Sequence, residues 1–291
     1  MLAVVGISFL LTRLAPGGPF DAERALDPDA LANLRRLYHL DRPLYEQFLF
    51  YLWGLLHGDL GPSTHWRDFS AGELFARALP VSVQLGSEAL SLALIVGGGL
   101  GLAGAWARGG LLPVVVRGLS VLGLALPVFI TAPLLQLAFA LTLHWLPVGG
   151  WGEGALSHQI LPVLSLSLPQ IAIIARLTET SMREALSAPH IRTLRAFGLP
   201  GWHIALHALR GACLPVISYL GPAAAALLTG SIVVETIFGI PGIGRYFVDG
   251  ALSRDYTLVM ATVVVAGIMI ILFNLLADIA YGVIDPRVRD A

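Results

Sequence analysis

Charged side chains are missing from five long stretches of the chain: 89–107, 118–152, 154–175, 211–234 and 256–277. Crossing about 30 Å of hydrocarbon takes roughly 20 apolar residues at about 1.5 Å per residue. Each run is near that length or above it. A sixth run, 1–12, extends to about residue 15 if Arg13 sits at the membrane interface. The pattern predicts an all-α, polytopic membrane protein with six helices, over 1–15, 81–106, 114–143, 160–176, 214–235 and 258–281. An even number places both termini on one side. The third helix is expected as one long element kinked at Pro127 and Pro133, ending in Leu146-Pro147-Val148-Gly149-Gly150. The first run lacks a basic start, and Pro16-Gly17-Gly18-Pro19 is a poor cleavage site, so it reads as a span; a cleaved signal is the alternative.

Between the first two spans, 16–78 is mixed in charge. Within it 29–38 reads as a short helix, and Arg42-Pro43 opens another. Tyr45, Phe48, Tyr51, Leu52 and Leu55 recur there at helical spacing, until Gly58 and Gly61-Pro62 stop the run. This amphipathic helix is expected on the membrane surface or against the bundle. Gly97 and Gly101 in the second span are four apart, which permits close helix approach in lipid. No internal repeat of the kind common in secondary carriers is present.

Composition sharpens this reading. Only 13% of the 291 residues are charged, and the mean hydropathy is +0.77. The net charge of −1 gives no support to a nucleic-acid partner. Every basic residue is arginine. Without a lysine the chain has no Walker A phosphate loop and no Schiff-base chemistry. The single cysteine, Cys213, excludes an internal disulfide. Arginines crowd one set of short loops: Arg108 and Arg117, then Arg183, Arg192, Arg195 and Arg210, then Arg287 and Arg289. The opposite short loops hold only Arg245 and Arg254. The positive-inside rule therefore predicts cytoplasmic termini and an external 16–78 segment.

One basic stretch, "IRTLRAFGLPGWHIALHALRGACLP" at 191–215, interrupts the apolar runs. Residues 188–197 suit a helix, Gly198 suits its left-handed stop, and Pro200 suits the start of a second short helix. On that second helix Trp202, Leu206, Leu209 and Cys213 form an apolar stripe. Read without further context, this is an interfacial helix whose arginines touch lipid phosphates. His203 and His207 have the spacing of a metal pair, but no third ligand lies near them in sequence.

These residues carry a resemblance. "RTLRAFGL" with "HALRGACLP" downstream is similar to the cytoplasmic coupling loop of ABC importer permeases, nearest to the dipeptide, oligopeptide and nickel permease family. "RLAPGGPF" at 13–20 resembles the end of that family's first span. "LDRPLYEQFLFYLWGLLHGDLGPS" at 40–63 resembles its external helix, "VVETIFGIPGIGRYFVDGALSRDY" at 233–256 its fifth-span exit, and "FNLLADIAYGVIDPRVR" at 273–289 its last span. Leu194, Phe197 and Gly211 depart from the residues usual there.

The resemblance implies a type I ABC importer permease fold in a bacterial inner membrane. It implies a first span plus external segment over 1–75, and a permease core over 76–285 with a coupling loop at 183–212. Arg192, Thr193, Leu194, Arg195, Ala196, Phe197, Gly198 and Leu199 would contact the ATPase. The implied partners are two cytoplasmic ATP-binding subunits, a second, non-identical permease, an external solute-binding protein and membrane lipid. No cofactor is implied. The expected cargo is a di- or oligopeptide, with nickel or another small solute as the alternative.

Candidates for the path or gate are Glu88, Glu235, Gly239, Pro241, Gly242 and Gly244. A carboxylate inside a span is expensive and marks a functional hypothesis; for Glu88 a headgroup contact or an arginine partner is an equal alternative. Asn274 and Asp278 suit interhelical packing. Two readings from other classes stand beside this one. An ion-gradient carrier or channel would act without an ATPase. A membrane enzyme would depend on Glu88 or on His144, Glu153 and His158, although no H-E-x-x-H or G-x-S-x-G motif is present.

Overall fold

The computed structural model describes residues 1–14, 36, 40–66, 68–107 and 111–284. The short helix expected over 29–38, Arg36 apart, and the arginines at 108, 287 and 289 lie outside these residues. The described chain is helical, and its only strand-like feature is one bridge between Pro62 and Ser70. The helices are α1 (Leu2–Leu14), α2 (Leu44–Leu56), α3 (Ala71–Trp106), α4 (Leu111–Ala125), α5 (Val128–Leu135), α6 (Leu156–Ser187), α7 (Pro189–Ala196), α8 (Gly201–Phe238), α9 (Ile243–Leu252) and α10 (Tyr256–Ile284). Among them α3, α6, α8 and α10 are long and apolar enough to cross a membrane. The 36 residues of α3 alone extend about 54 Å.

The expected third span is not one kinked helix. It breaks at Pro127, whose φ of −62° and ψ of 147° make it an extended lead-in to α5. Proline lacks the N–H and disfavours a helical residue before it, so α4 ends and α5 restarts. A π-helical turn, Gln136–Thr142, continues α5. Other helices run past the expected spans. α3 starts ten residues earlier than expected, and α6 runs on to Ser187.

The chain divides into two compact units. The first contains 1–81 and 241–268. In it Val5 and Phe9 of α1 bury against Met260 and Val264 of α10, under Phe48, Tyr51, Leu52 and Leu55 of α2. Four of the five residues expected on the inner face of α2 are thus on it; Tyr45 points out, 66% exposed. A second cluster joins Ala71, Leu74, Phe75 and Ala78 of α3 to Ile243 of α9 and to Leu258 and Ala261 of α10.

The second unit contains 82–240 and 269–291. Its centre is the packing of α6 on α8, with α4 along α6 and α5 against both. Small residues set these distances. A Cβ at Gly97 would lie 2.8 Å from the Ile171 carbonyl oxygen, and one at Gly101 2.5 Å from Thr178 Cβ. The glycine pair does bring two helices into contact, as its spacing predicts. Gly123 does the same for α4, where a Cβ would lie 2.9 Å from that of Ala172. Gly221 of α8 faces Asn274 of α10, with a Cβ there only 2.5 Å from Asn274 Oδ1. Asn274 bonds within its own helix, to the Ile270 carbonyl, and Asp278 is exposed.

Candidate coupling and translocation sites

The basic stretch forms an elbow. Ala188 is extended, Pro189 opens α7 at its first turn, and the helix ends at Phe197. Gly198 takes φ of 72°, the left-handed conformation that an L side chain resists, and its amide donates to the Arg195 carbonyl. The Leu199 amide donates to the Leu194 carbonyl, which closes the turn. Pro200, extended at ψ of 150°, then leads into α8. The second short helix expected here is not separate. It is the first part of α8, a 38-residue helix that continues through Pro215 and Pro222.

One face of the elbow is anchored. Ile191 is fully buried with Ala105, Met182, Ile204, Ala208 and Ala212, and Leu194 and Leu199 pack on the edge of that cluster. Burying a side chain such as Ile191 contributes about 1.5–3 kcal/mol. The other face is offered to the surroundings: Arg192, Thr193, Arg195, Ala196, Phe197 and Gly198 are exposed. Phe197 is 77% exposed. The apolar stripe read from sequence does not form the buried face. Trp202 and Leu206 point outward, whereas Ile204, Ala208 and Ala212 point in. This face packs on Met182 of α6, Ile191 of α7 and Ala105 of α3. A charged brace sits above it. Glu179, 5% exposed, pairs with Arg183 at 3.0 Å, and Arg183 also donates to the Gly104 carbonyl at 2.7 Å.

The path candidates do not share one environment. Glu88 is half-buried on α3 and accepts a bond from Gln84 Nε2 at 2.9 Å. Glu235 on α8 is wholly buried and accepts from Ser82 Oγ at 2.6 Å. Gly239 ends α8 at φ of 64°. Its amide donates to the Thr236 carbonyl and the Ile240 amide to the Glu235 carbonyl, the two bonds of a Schellman stop. Pro241 follows, and Gly242 and Gly244 flank the first residue of α9.

Two polar hubs escaped the sequence reading. Gln136, at the start of the π-helical turn, donates from Nε2 to the Val148 carbonyl at 2.7 Å. The Gly150 amide donates to the Phe238 carbonyl at 2.6 Å, and a Cβ at Gly149 would strike that same oxygen. The loop after α5 is thus moored to the end of α8. Asp255, fully buried, is the second hub. It accepts from Ser63 Oγ, from the Thr64 amide at 2.9 Å and from the His65 amide at 3.0 Å. Its other oxygen accepts from the Leu258 amide and caps α10. An aspartate just ahead of a long apolar helix is a capping signal visible in sequence; its 192-residue reach to Ser63 is not.

Residues 95–290 match the family described as the inner membrane component of binding-protein-dependent transport systems. The chain belongs to this family. It is 49% identical over 290 residues to the oligopeptide transport system permease protein OppB of Escherichia coli K12, covering 99% of this chain and 95% of that protein. It is 46% identical over 290 residues to OppB of Haemophilus influenzae, with the same coverage. It is 41% identical over 290 residues to the dipeptide transport system permease protein DppB of Bacillus subtilis, covering 99% and 94%. Family members are transport components of the inner membrane. The elbow, Ser63, Asp255, Glu88 and Glu235 all lie within these near-full-length matches.

Proposed function

We propose that the chain is the permease subunit of an ATP-driven, binding-protein-dependent importer of oligopeptides, forming half of its translocation path. The observation that carries this is the 49% identity over 99% of the chain to an oligopeptide permease.

The six-span topology fits this role. α1, α3, the broken 111–142 segment, α6, α8 and α10 cross the bilayer, and the arginine-rich loops face the cytoplasm with both termini. Residues 1–75 supply the first span and the external α2, and 76–285 the permease core. Energy comes from two separate ATP-binding subunits, because the lysine-free chain offers no Walker A loop. The elbow is the receiver. Its anchored residues, Ile191, Leu194 and Leu199, transmit displacement into α6 and α8. Its exposed Arg192, Arg195 and Phe197 meet the ATPase. A second, non-identical permease completes the path, and an external binding protein delivers cargo.

Within the second unit Glu88, half-buried and held by Gln84, suits a contact with a peptide ammonium. Glu235, closed off with Ser82, suits a brace between α3 and α8. Gly239 frees the exit of α8 to turn, and Pro241, Gly242 and Gly244 shape the start of α9 in the gate.

The test is uptake of a labelled oligopeptide into vesicles that contain the purified complex. Accumulation should need ATP, the binding protein and a co-purifying ATPase. Accumulation by this polypeptide alone, driven by an ion gradient, sinks the proposal.

A further inference from the structure

Past Ile160, α6 exposes no large apolar side chain among the described residues. Its exposed residues there are Arg176, Thr180, Arg183, Glu184 and Ser187, all polar. On a helix of 3.6 residues per turn they share one side, an arc of about 100°. Nearer the start of α6 that side is sealed: Pro162, Ser165 and Ala172 are buried. It closes over the first half of the helix and opens over the second. Charged side chains at membrane depth line water or protein, not hydrocarbon. From Leu156 to Arg176 the helix rises about 30 Å, the thickness of the hydrocarbon. In the proposed topology Arg176 therefore stands at the inner margin of the membrane, at the closed end of the polar side.

A cavity of about 460 Å³ opens here. Val121 and Leu124 of α4 give it an apolar wall, and the polar side of α6 gives it a charged one. The charges are not equivalent. Glu179 is paired with Arg183 at 3.0 Å. Glu184 lies two turns beyond Arg176, about 12 Å along the axis. Arg176 lines the cavity and forms no hydrogen bond or ion pair with any described residue. Its guanidinium is always charged, and its planar fork of donors matches a carboxylate. A lipid phosphate on Arg176 would send its acyl chains toward the bilayer centre, along the side of α6 that is sealed. A solute on its way to the cytoplasm runs the other way, along the side that is open.

We propose that Arg176 binds the C-terminal carboxylate of the cargo peptide on the cytoplasmic side of the path, with Val121 and Leu124 beside the peptide's last side chain. Arg176 thereby makes the path select for a free carboxylate. The inference rests on the importer reading and adds to it a residue and a charge preference.

The test is uptake by the reconstituted complex of one labelled oligopeptide in two forms, with a free C-terminal carboxylate and as the C-terminal amide. Each form is scored against the parent complex, which cancels any preference of the binding protein. Arg176→Gln should lower uptake of the free form about tenfold or more, the range for a charge-assisted contact, and leave the amide near the parent rate. Arg176→Lys keeps the charge and should recover most of the loss. Equal loss of both forms, or loss of neither, overturns the site. Thr180→Cys in a Cys213→Ser background carries the test if Arg176→Gln does not assemble. A membrane-impermeant thiol reagent should label it from the cytoplasmic face of inside-out vesicles, and excess free peptide should slow the labelling more than the amide does. No labelling places this side of α6 against the second permease or lipid and overturns the proposal, as does equal protection by the two forms. A parent that accumulates neither form rejects the importer reading, and this inference falls with it. A parent that accumulates both, beside a variant that treats them alike, rejects this inference alone.

Discussion

Gly101→Ala tests the helix approach that organises the second unit. The new Cβ would lie 2.5 Å from Thr178 Cβ, 2.6 Å from the Ala175 carbonyl oxygen and 3.0 Å from the Glu179 amide nitrogen. Carbon atoms in contact sit about 3.5–4.0 Å apart, so α3 and α6 must part by about 1 Å. Two of the three obstacles are backbone atoms, so no rotamer change relieves the clash. Overpacking of this kind costs about 1–3 kcal/mol. Parting the helices also draws the Gly104 carbonyl away from Arg183. Gly98 provides the control, since a Cβ there meets nothing within 4 Å. Gly98→Ala removes only a helical glycine, worth about 1 kcal/mol in favour of alanine. The two variants therefore shift stability in opposite directions. The assay is thermal unfolding of the purified protein in one detergent. If Gly101→Ala unfolds at or above the parent temperature, or if both variants shift alike, the close-approach argument is wrong.

Asp255→Asn weakens three bonds to 63–65 and the cap on α10, and should destabilise by about 2 kcal/mol or more, with faster proteolysis at 62–70 as the local readout. Gly198→Val forces a β-branched residue to φ of 72° where no neighbour lies within 4 Å, so the loss of about 1–2 kcal/mol is a backbone penalty alone, measurable by the same unfolding assay. Arg192→Glu with Arg195→Glu changes two exposed side chains and should move stability by less than about 0.5 kcal/mol. The same pair should abolish ATP-dependent uptake by the reconstituted complex; full uptake would remove these arginines from the coupling contact.

The sequence alone decided the solvent in which this chain folds, the helical class, and the stop at Gly198. Those follow from local rules: charge-free runs of spanning length, a residue without Cβ where φ must be positive, and the close approach allowed by Gly97 and Gly101. It also carried the family, because five motifs fall in one order. Tertiary structure decided what depends on which neighbour a residue meets. Pro127 could kink or break a helix; with α5 engaged against α6 and α8 it breaks one. Trp202 and Leu206 look like an inner face by hydropathy, but Ile204, Ala208 and Ala212 are the residues that pack on Ala105, Met182 and Ile191. Glu88 and Glu235 are the same residue type, each at the end of an apolar run, yet one is half-exposed beside Gln84 and the other sealed with Ser82. Asp255 meets Ser63 across 192 positions, which no periodicity encodes. Hydrophobic pattern fixes which segments leave water, whereas close packing and the pairing of buried polar groups fix which faces meet.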